Sequence, residues 1–260
     1  MECEPFKRAL LIGINYKGTD NELGGCINDI DDIKNILISK YGYRKKDILI
    51  LTDNEEVKPT KENILIAMDE LVRDVEKGDR LFLYYSGHGT RIIDQDHDEK
   101  SGLDDAIYTI DGKVISDDEI LKRLERLNEA HISMFFDCCH SGTIADLAYN
   151  IRFNGKRLFT KPIFDFWMEN SKDIKGSAQM FSGCLDEQCS ADAQFRQQNQ
   201  YKNNGAFTYM LLKTIEEGDK FLTNKEVLIS IYEKLKSEGF PQVPQFSCSA
   251  AKILDDLFIL

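Results

Sequence analysis

No apolar run in the sequence approaches the roughly 20 positions a membrane-spanning helix needs, and the short stretch 9–14 is too brief for a signal peptide's apolar region. The expected setting is cytoplasmic, with no membrane partner. Metal-type cysteine spacing is also missing. Cys3, Cys26, Cys138, Cys139, Cys184, Cys189 and Cys248 form an odd set without a Cys-x-x-Cys pair, which indicates neither a zinc knuckle nor a disulfide framework. Reduced thiols are the default. Basic residues are in deficit, 33 against 45 acidic ones, for a net charge of −12. That balance disfavours nucleic acid, whose phosphates need a basic surface, and favours cationic partners such as calcium or basic peptides. There is no internal repeat and no composition break, so residues 1–260 read as one domain. A hydrophobic content of 42% and a charged content of 30% are ordinary for a globular chain. A fold of this size buries roughly 70 to 75% of its unfolded surface, so a sizeable core is available.

What is present is a regular alternation. Residues 8–14 are apolar and stop at Gly13, the pattern of a strand buried on both faces. Ile27, Ile30, Ile33 and Leu37 recur at helical spacing, with Asp29, Asp31 and Asp32 near the start and Gly42 after the end. Residues 47–52 form a second strand. Thr60 can cap a helix striped by Ile64, Met68, Leu71 and Val75 and closed at Gly78, and residues 80–85 form a third strand. This order predicts an α/β fold with a parallel sheet and helices on both faces.

The alternation then pauses in a polar, acidic stretch. Residues 106–115 around Asp111-Gly112 suggest a hairpin with a type I′ turn, and Ser116 with Glu119 forms a capping box for a helix bearing Ile120, Leu124 and Leu127. The chain returns to a strand at Ile132. Residues 143–176 read as a long aromatic loop, including Phe153, Phe159 and Trp167. Residues 178–182 read as a strand, 195–204 as a loop rich in glutamine and asparagine, and 206–217 as a helix. Thr223 with Glu226 opens another helix reaching Ser237, and Pro241 and Pro244 precede a last extended piece. The two flanking parts, 1–142 and 177–260, are the expected halves of the domain.

Two apolar strands end in reactive groups. One runs into Tyr84-Tyr85-Ser86-Gly87-His88-Gly89-Thr90, the other into Asp137-Cys138-Cys139-His140-Ser141-Gly142. Ligands of open α/β sheets bind outside the carboxyl ends of the strands, and a thiol becomes a nucleophile when a histidine favours its thiolate. A cysteine after an apolar strand is otherwise a small buried hydrophobe. His88 and Cys139 are 51 positions apart, matching the roughly 50-residue caspase spacing, although the caspase cysteine signature is absent. His140 is set aside as the base because adjacent residues of an extended segment point opposite ways.

The two motifs closely resemble those of the metacaspases, the caspase-like proteases of plants, fungi, protists and bacteria. Gly24-Gly25-Cys26-Ile27-Asn28-Asp29 resembles the family's early motif; 182–192 and Gly205-Ala206-Phe207-Thr208 resemble its C-terminal half. The resemblance covers residues 8–260. It implies a caspase-hemoglobinase-like sandwich, Cys139 as nucleophile, His88 as base, and Cys138 as a bystander. Backbone N–H groups near Cys139 and Gly89 are candidates to hold the oxyanion. It also implies a pocket of Cys26, Asp29, Ser86 and Asp137 that selects peptides with Arg or Lys before the scissile bond, because a buried like-charge pair is relieved by a cation. Taken alone, Asp29 serves a helix start and Ser86 a turn equally well.

Asp94, Asp96, Asp98 and Asp105 stand at calcium-loop positions, but Glu99 replaces the required glycine and no helix precedes, so an EF-hand is excluded. Through the resemblance, Asp104, Asp117, Asp118 and Asp146 are the expected calcium ligands, and calcium the expected activator. The resemblance also implies a monomer, and the chain lacks the proline-rich or zinc-finger extension that many type I relatives carry before the core, so regulation by a prodomain is not expected. Lys156-Arg157, Lys172 and Lys175 are candidate self-cleavage sites or merely solvated charge. Two other readings compete: a catalytically idle caspase-like binding module, and a redox protein using Cys138-Cys139. The second is weak, since vicinal cysteines form a strained ring.

Overall fold

In a computed structural model, which describes residues 5–94, 102–162, 174–184, 191–197, 200–218 and 221–260, the apolar runs lie side by side as consecutive strands of one sheet. They are β1 (Lys7–Gly13), β2 (Ile48–Thr52), β3 (Arg80–Ser86), β7 (His131–Asp137) and β10 (Ser177–Ser182). Between β3 and β7 come β4 (Gly89–Ile93), β5 (Leu103–Tyr108) and β6 (Val114–Ser116), a separate three-stranded sheet. β8 (Tyr149–Phe153), β9 (Leu158–Pro162) and β13 (Gln245–Cys248) complete an eight-stranded central sheet of order β2-β1-β3-β7-β10-β13-β8-β9. The first five strands are parallel and the last three antiparallel to their neighbours.

The period of two along β3 sends Leu81, Leu83 and Tyr85 to one face and Phe82 and Tyr84 to the other. On the first face they meet α2 (Lys61–Leu71) and α3 (Asp117–Leu124) through Ile64, Met68, Ile120 and Leu124. On the second they meet α1 (Cys26–Ser39), α4 (Ala206–Glu217) and α5 (Asn224–Ser237) through Ile33, Leu37, Phe207, Leu211 and Ile231. Burial on both faces is why these strands are continuously apolar. Local signals set the helix starts: Thr60 accepts from Asn63 N, and capping boxes at Ser116/Glu119 and Thr223/Glu226 are both formed. No helix among the described residues is long and apolar enough to cross a membrane.

Four expectations need correction. The segment 143–176 contains the β8–β9 hairpin, which joins the central sheet at its edge. The stretch 195–204 belongs to a second hairpin, β11 (Asp192–Gln197) with β12 (Gln200–Gly205). Helix α2 ends at Leu71; Val75 is buried beyond it, past a turn in which Asp74 has positive φ. The turn between β5 and β6 is not type I′: Gly112 has φ of 74° but Asp111 is not left-handed, and Thr109 N bonds Lys113 O across a wider loop. Asp96, Asp98, Trp167, Lys172 and Cys189 lie outside the described residues.

Candidate active site

β3 and β7 are adjacent and in register, with Ser86 opposite Asp137, so the chain leaves both strands at the same edge of the sheet. His88 follows one strand and Cys139 the other. Gly87 N donates to Asp137 O at 3.4 Å. A Cβ on Gly89 would overlap the carbonyl oxygen of Cys139 outright, so the two loops touch backbone to backbone and only glycine fits. His88 is held on several sides. Its N–H donates to Tyr16 Oη at 3.0 Å, its carbonyl accepts from Tyr85 Oη at 2.7 Å, and its ring lies 4.8 Å from that of Tyr16. Its Nε2 is 2.8 Å from the carbonyl oxygen of Asn21. A carbonyl only accepts, so Nε2 carries a proton, and in the neutral ring the lone pair is on Nδ1.

Cys139 is half-buried, whereas Cys138 is fully buried. Burial, reinforced by the neighbouring Cys184 and Cys139, pushes the Cys138 thiol well above the usual range. Its carbonyl accepts from Ser141 Oγ at 2.9 Å and Cys184 Sγ at 3.3 Å, which fixes the turn. His140 has φ of 50°. The segment is therefore a turn, and the extended-chain reason for setting His140 aside does not apply here.

The four expected pocket residues are brought together. Ser86 Oγ donates to Asp29 Oδ2 at 2.8 Å. Asn204 Nδ2 donates to Asp29 Oδ1 at 2.9 Å, and Gly205 N to both oxygens at 3.1 and 3.2 Å. Asp137 Oδ2 accepts from Thr208 N at 3.0 Å and Thr208 Oγ1 at 2.6 Å, and Tyr84 Oη is 2.5 Å from that hydroxyl. A side chain at Gly205 would run into Asp137 and crowd Asp29, so this glycine sits between the two acids. Burial first, and then the charge of Asp137, raises Asp29 well above the carboxylate range; the bonds from Asn204, Ser86 and Gly205 oppose the rise. The Cys26 thiol is also pushed up, by burial and then by Asp29, with Asp192 and Asp137 adding to the effect.

Asn21, Asp192, Asn204, Gly205 and Thr208 were not singled out from sequence as site residues. Asp192, Gly205 and Thr208 stand inside the quoted motifs, but nothing local says what they touch.

A second acidic cluster lies beyond the Cys139 turn. Carboxylate oxygens of Asp104, Asp117 and Asp118 fall within 4.8 Å of one another. Asp117 is raised to about 9, first by burial and then by the charge of Asp146, so three of the four expected calcium ligands form one group and the fourth, outside that group, acts on it through its charge. Asp104 Oδ1 and Asp146 Oδ2 are buried oxygens that receive no hydrogen bond. Hard carboxylate oxygens from separate segments suit calcium. Asp105, beside Asp104, pairs with Arg91 Nε at 3.1 Å and accepts from Thr143 Oγ1 at 2.7 Å, while its N–H donates to Asp117 Oδ2 at 2.8 Å.

The architecture is that of the caspases: the crystal structure of caspase-1 from Spodoptera frugiperda superposes with a TM-score of 0.58 at 12% identity, covering 98% of this chain and 90% of that one. A protein of Geobacter sulfurreducens superposes with a TM-score of 0.66 at 23% identity, covering 97% and 98%. Residues 7–148 match the family model for the metacaspase, peptidase C14 domain. Metacaspase-1B of Aspergillus fumigatus is 35% identical, over 99% of this chain and 73% of its own length. Metacaspase-1 of Kluyveromyces lactis is 34% identical, over 95% and 67%. The chain belongs to the metacaspases, and is a cysteine-type peptidase acting on proteins or peptides.

Proposed function

We propose that this peptidase is a calcium-dependent endopeptidase that cleaves after Arg or Lys, with Cys139 as nucleophile and His88 as base. The observation that carries the reading is the pair of buried acids, Asp29 and Asp137, flanking Gly205 at the same strand ends that present His88 and Cys139. Two carboxylates so enclosed favour a cation and reject an acidic side chain.

His88 Nδ1 takes the thiol proton, and the Cys139 sulfur attacks the scissile carbonyl carbon as the C–S bond forms. Backbone N–H groups near Cys139 and Gly89 receive the oxyanion. The tetrahedral centre collapses, the C–N bond breaks, and the imidazolium hands its proton to the leaving amine. Water then loses a proton to His88 and attacks the thioester; the C–S bond breaks, the carboxylic acid leaves and the thiol is restored. The Asn21 carbonyl holds the ring in the tautomer this requires.

Asp104, Asp117, Asp118 and Asp146 would hold calcium, which when bound supplies the positive charge that their mutual repulsion calls for. Asp146 N donates to Thr143 O at 2.8 Å, so the turn carrying the last ligand is continuous with the Cys139 loop. Five reduced cysteines among the described residues support a cytoplasmic setting. The test is a peptide panel varied at the residue before the scissile bond, with and without chelator. Cleavage after Arg and Lys that is lost in Cys139→Ala and in chelator is expected. A preference for Asp, or full turnover in chelator, overturns the corresponding part, and unchanged protein binding with no turnover would favour an idle binding module.

A further inference from the structure

Helix α1 carries two of the four pocket residues, Cys26 at its first position and Asp29 one turn further on. Its N-cap is Gly25, which has no side chain to cap with, and a helix start leaves several backbone N–H groups without an intrahelical acceptor. One is met nearby, Ile27 N donating to Asn15 Oδ1 at 3.3 Å. The N–H groups of the cap residue and of the residue before it are met from the opposite end of the sequence. Gly24 N and Gly25 N both donate to Asp192 Oδ2, at 2.6 and 3.2 Å.

Asp192 opens β11 and pairs with Gly205, the last residue of β12. Gly205 is the residue lodged between Asp29 and Asp137. The base of this hairpin therefore grips α1 twice, Asp192 on the turn before the helix and Gly205 on Asp29 inside it. The fit between them is close: a Cβ on Gly25 would stand 2.5 Å from Asp192 Oδ1 and 2.8 and 2.9 Å from Asn204 Cα and C. Asn28 Nδ2 to Asn203 O at 2.8 Å and Lys202 Nζ to Asp32 Oδ1 at 2.5 Å continue the same seam along the helix. Asp192 is itself exposed, so its weight lies in these bonds and not in core packing.

We propose that Asp192 is a positioning residue for the basic-residue pocket: its carboxylate caps α1 from the β11–β12 hairpin and so sets the spacing between Asp29 and Gly205. The proposal rests on the reading of Cys26, Asp29, Ser86 and Asp137 as the pocket for Arg or Lys. Without the carboxylate, the first turn of α1 and the hairpin base part, while His88 and Cys139 stay on strand ends held by the central sheet. The loss falls on substrate binding and spares the chemical step.

The experiment uses the full chain with calcium and a peptide bearing Arg before the scissile bond. Asp192→Ala raises KM about tenfold with kcat within about twofold of wild type. Asp192→Asn keeps an oxygen that accepts from both N–H groups and holds KM within about threefold. Asp192→Ser, too short to span both, behaves as Asp192→Ala and replaces it if that variant does not fold. In a Cys139→Ala background, Gly24 and Gly25 amide protons exchange faster with Asp192→Ala and at the original rate with Asp192→Asn. An unchanged KM, a loss confined to kcat, or unchanged exchange overturns the proposal. A wild-type enzyme without preference for Arg or Lys overturns the pocket reading and this role with it; preference retained with wild-type KM in Asp192→Ala overturns this role alone.

Discussion

Gly89 is the residue on which the two reactive loops meet, since its missing side chain leaves room for the Cys139 carbonyl. Gly89→Ala pushes the loops apart by about the width of a methyl group, and a displacement near 1 Å at a reacting centre costs about 10²-fold in rate. The expected outcome is a fall of that size in kcat/KM, read with a basic peptide, in a protein that still melts cooperatively. Asp29 gives a pH signature. Its proton is held to higher pH than in an ordinary carboxyl. The stability it contributes is present below the usual carboxylate range and is lost as pH rises through the raised folded value. A cation in the pocket favours the ionised form, so binding expels the proton. KM for an Arg peptide should fall as pH rises through that window, while KM for the matched neutral citrulline peptide stays level; parallel profiles would count against the assignment.

At the level of elements, what could be read from sequence follows burial. β1, β3, β7 and β10 are enclosed on both faces and announce themselves as apolar runs, and the two capping boxes announce α3 and α5 through local hydrogen bonds alone. β12 does not, because Lys202, Asn203 and Asn204 are chosen for an ion pair and for bonds to α1 and Asp29, so the strand shows no alternation of apolar residues. β8 and β9 were equally hidden at the outer edge of the sheet. Their hairpin bears on processing. Lys156 and Arg157 occupy a tip closed by their N–H groups on Asn154 Oδ1, at 3.1 and 3.0 Å, and a protease needs an extended segment. Intact mass spectrometry after calcium addition should show no product cut at either residue; Lys175 is exposed and remains a candidate.

Over the whole molecule, His88 and Cys139 could be proposed from sequence because each lies in a contiguous motif, and the acids because a family resemblance pointed to them. The clasp around the pocket was not, since Asp192, Asn204, Gly205 and Thr208 reach it from more than 70 positions beyond Asp137 or α1. The acidic cluster proposed to hold calcium lies within the crossover from β3 to β7 and, through Thr143 and Asp146, against the segment after Cys139. Binding to the folded state alone stabilises it by about 2.7 kcal/mol at a hundredfold excess over Kd. Calcium should raise the melting temperature of Cys139→Ala, and Asp118→Asn should shrink that rise; equal melting with calcium and with chelator would remove the site. The division of the pocket has a practical corollary. The part before Pro162 carries His88, Cys139, Asp29 and Asp137, and the part after Ser177 carries the clasp. The two pieces, expressed separately and fused to interacting partners, would make a split reporter whose turnover of a basic peptide registers their reunion.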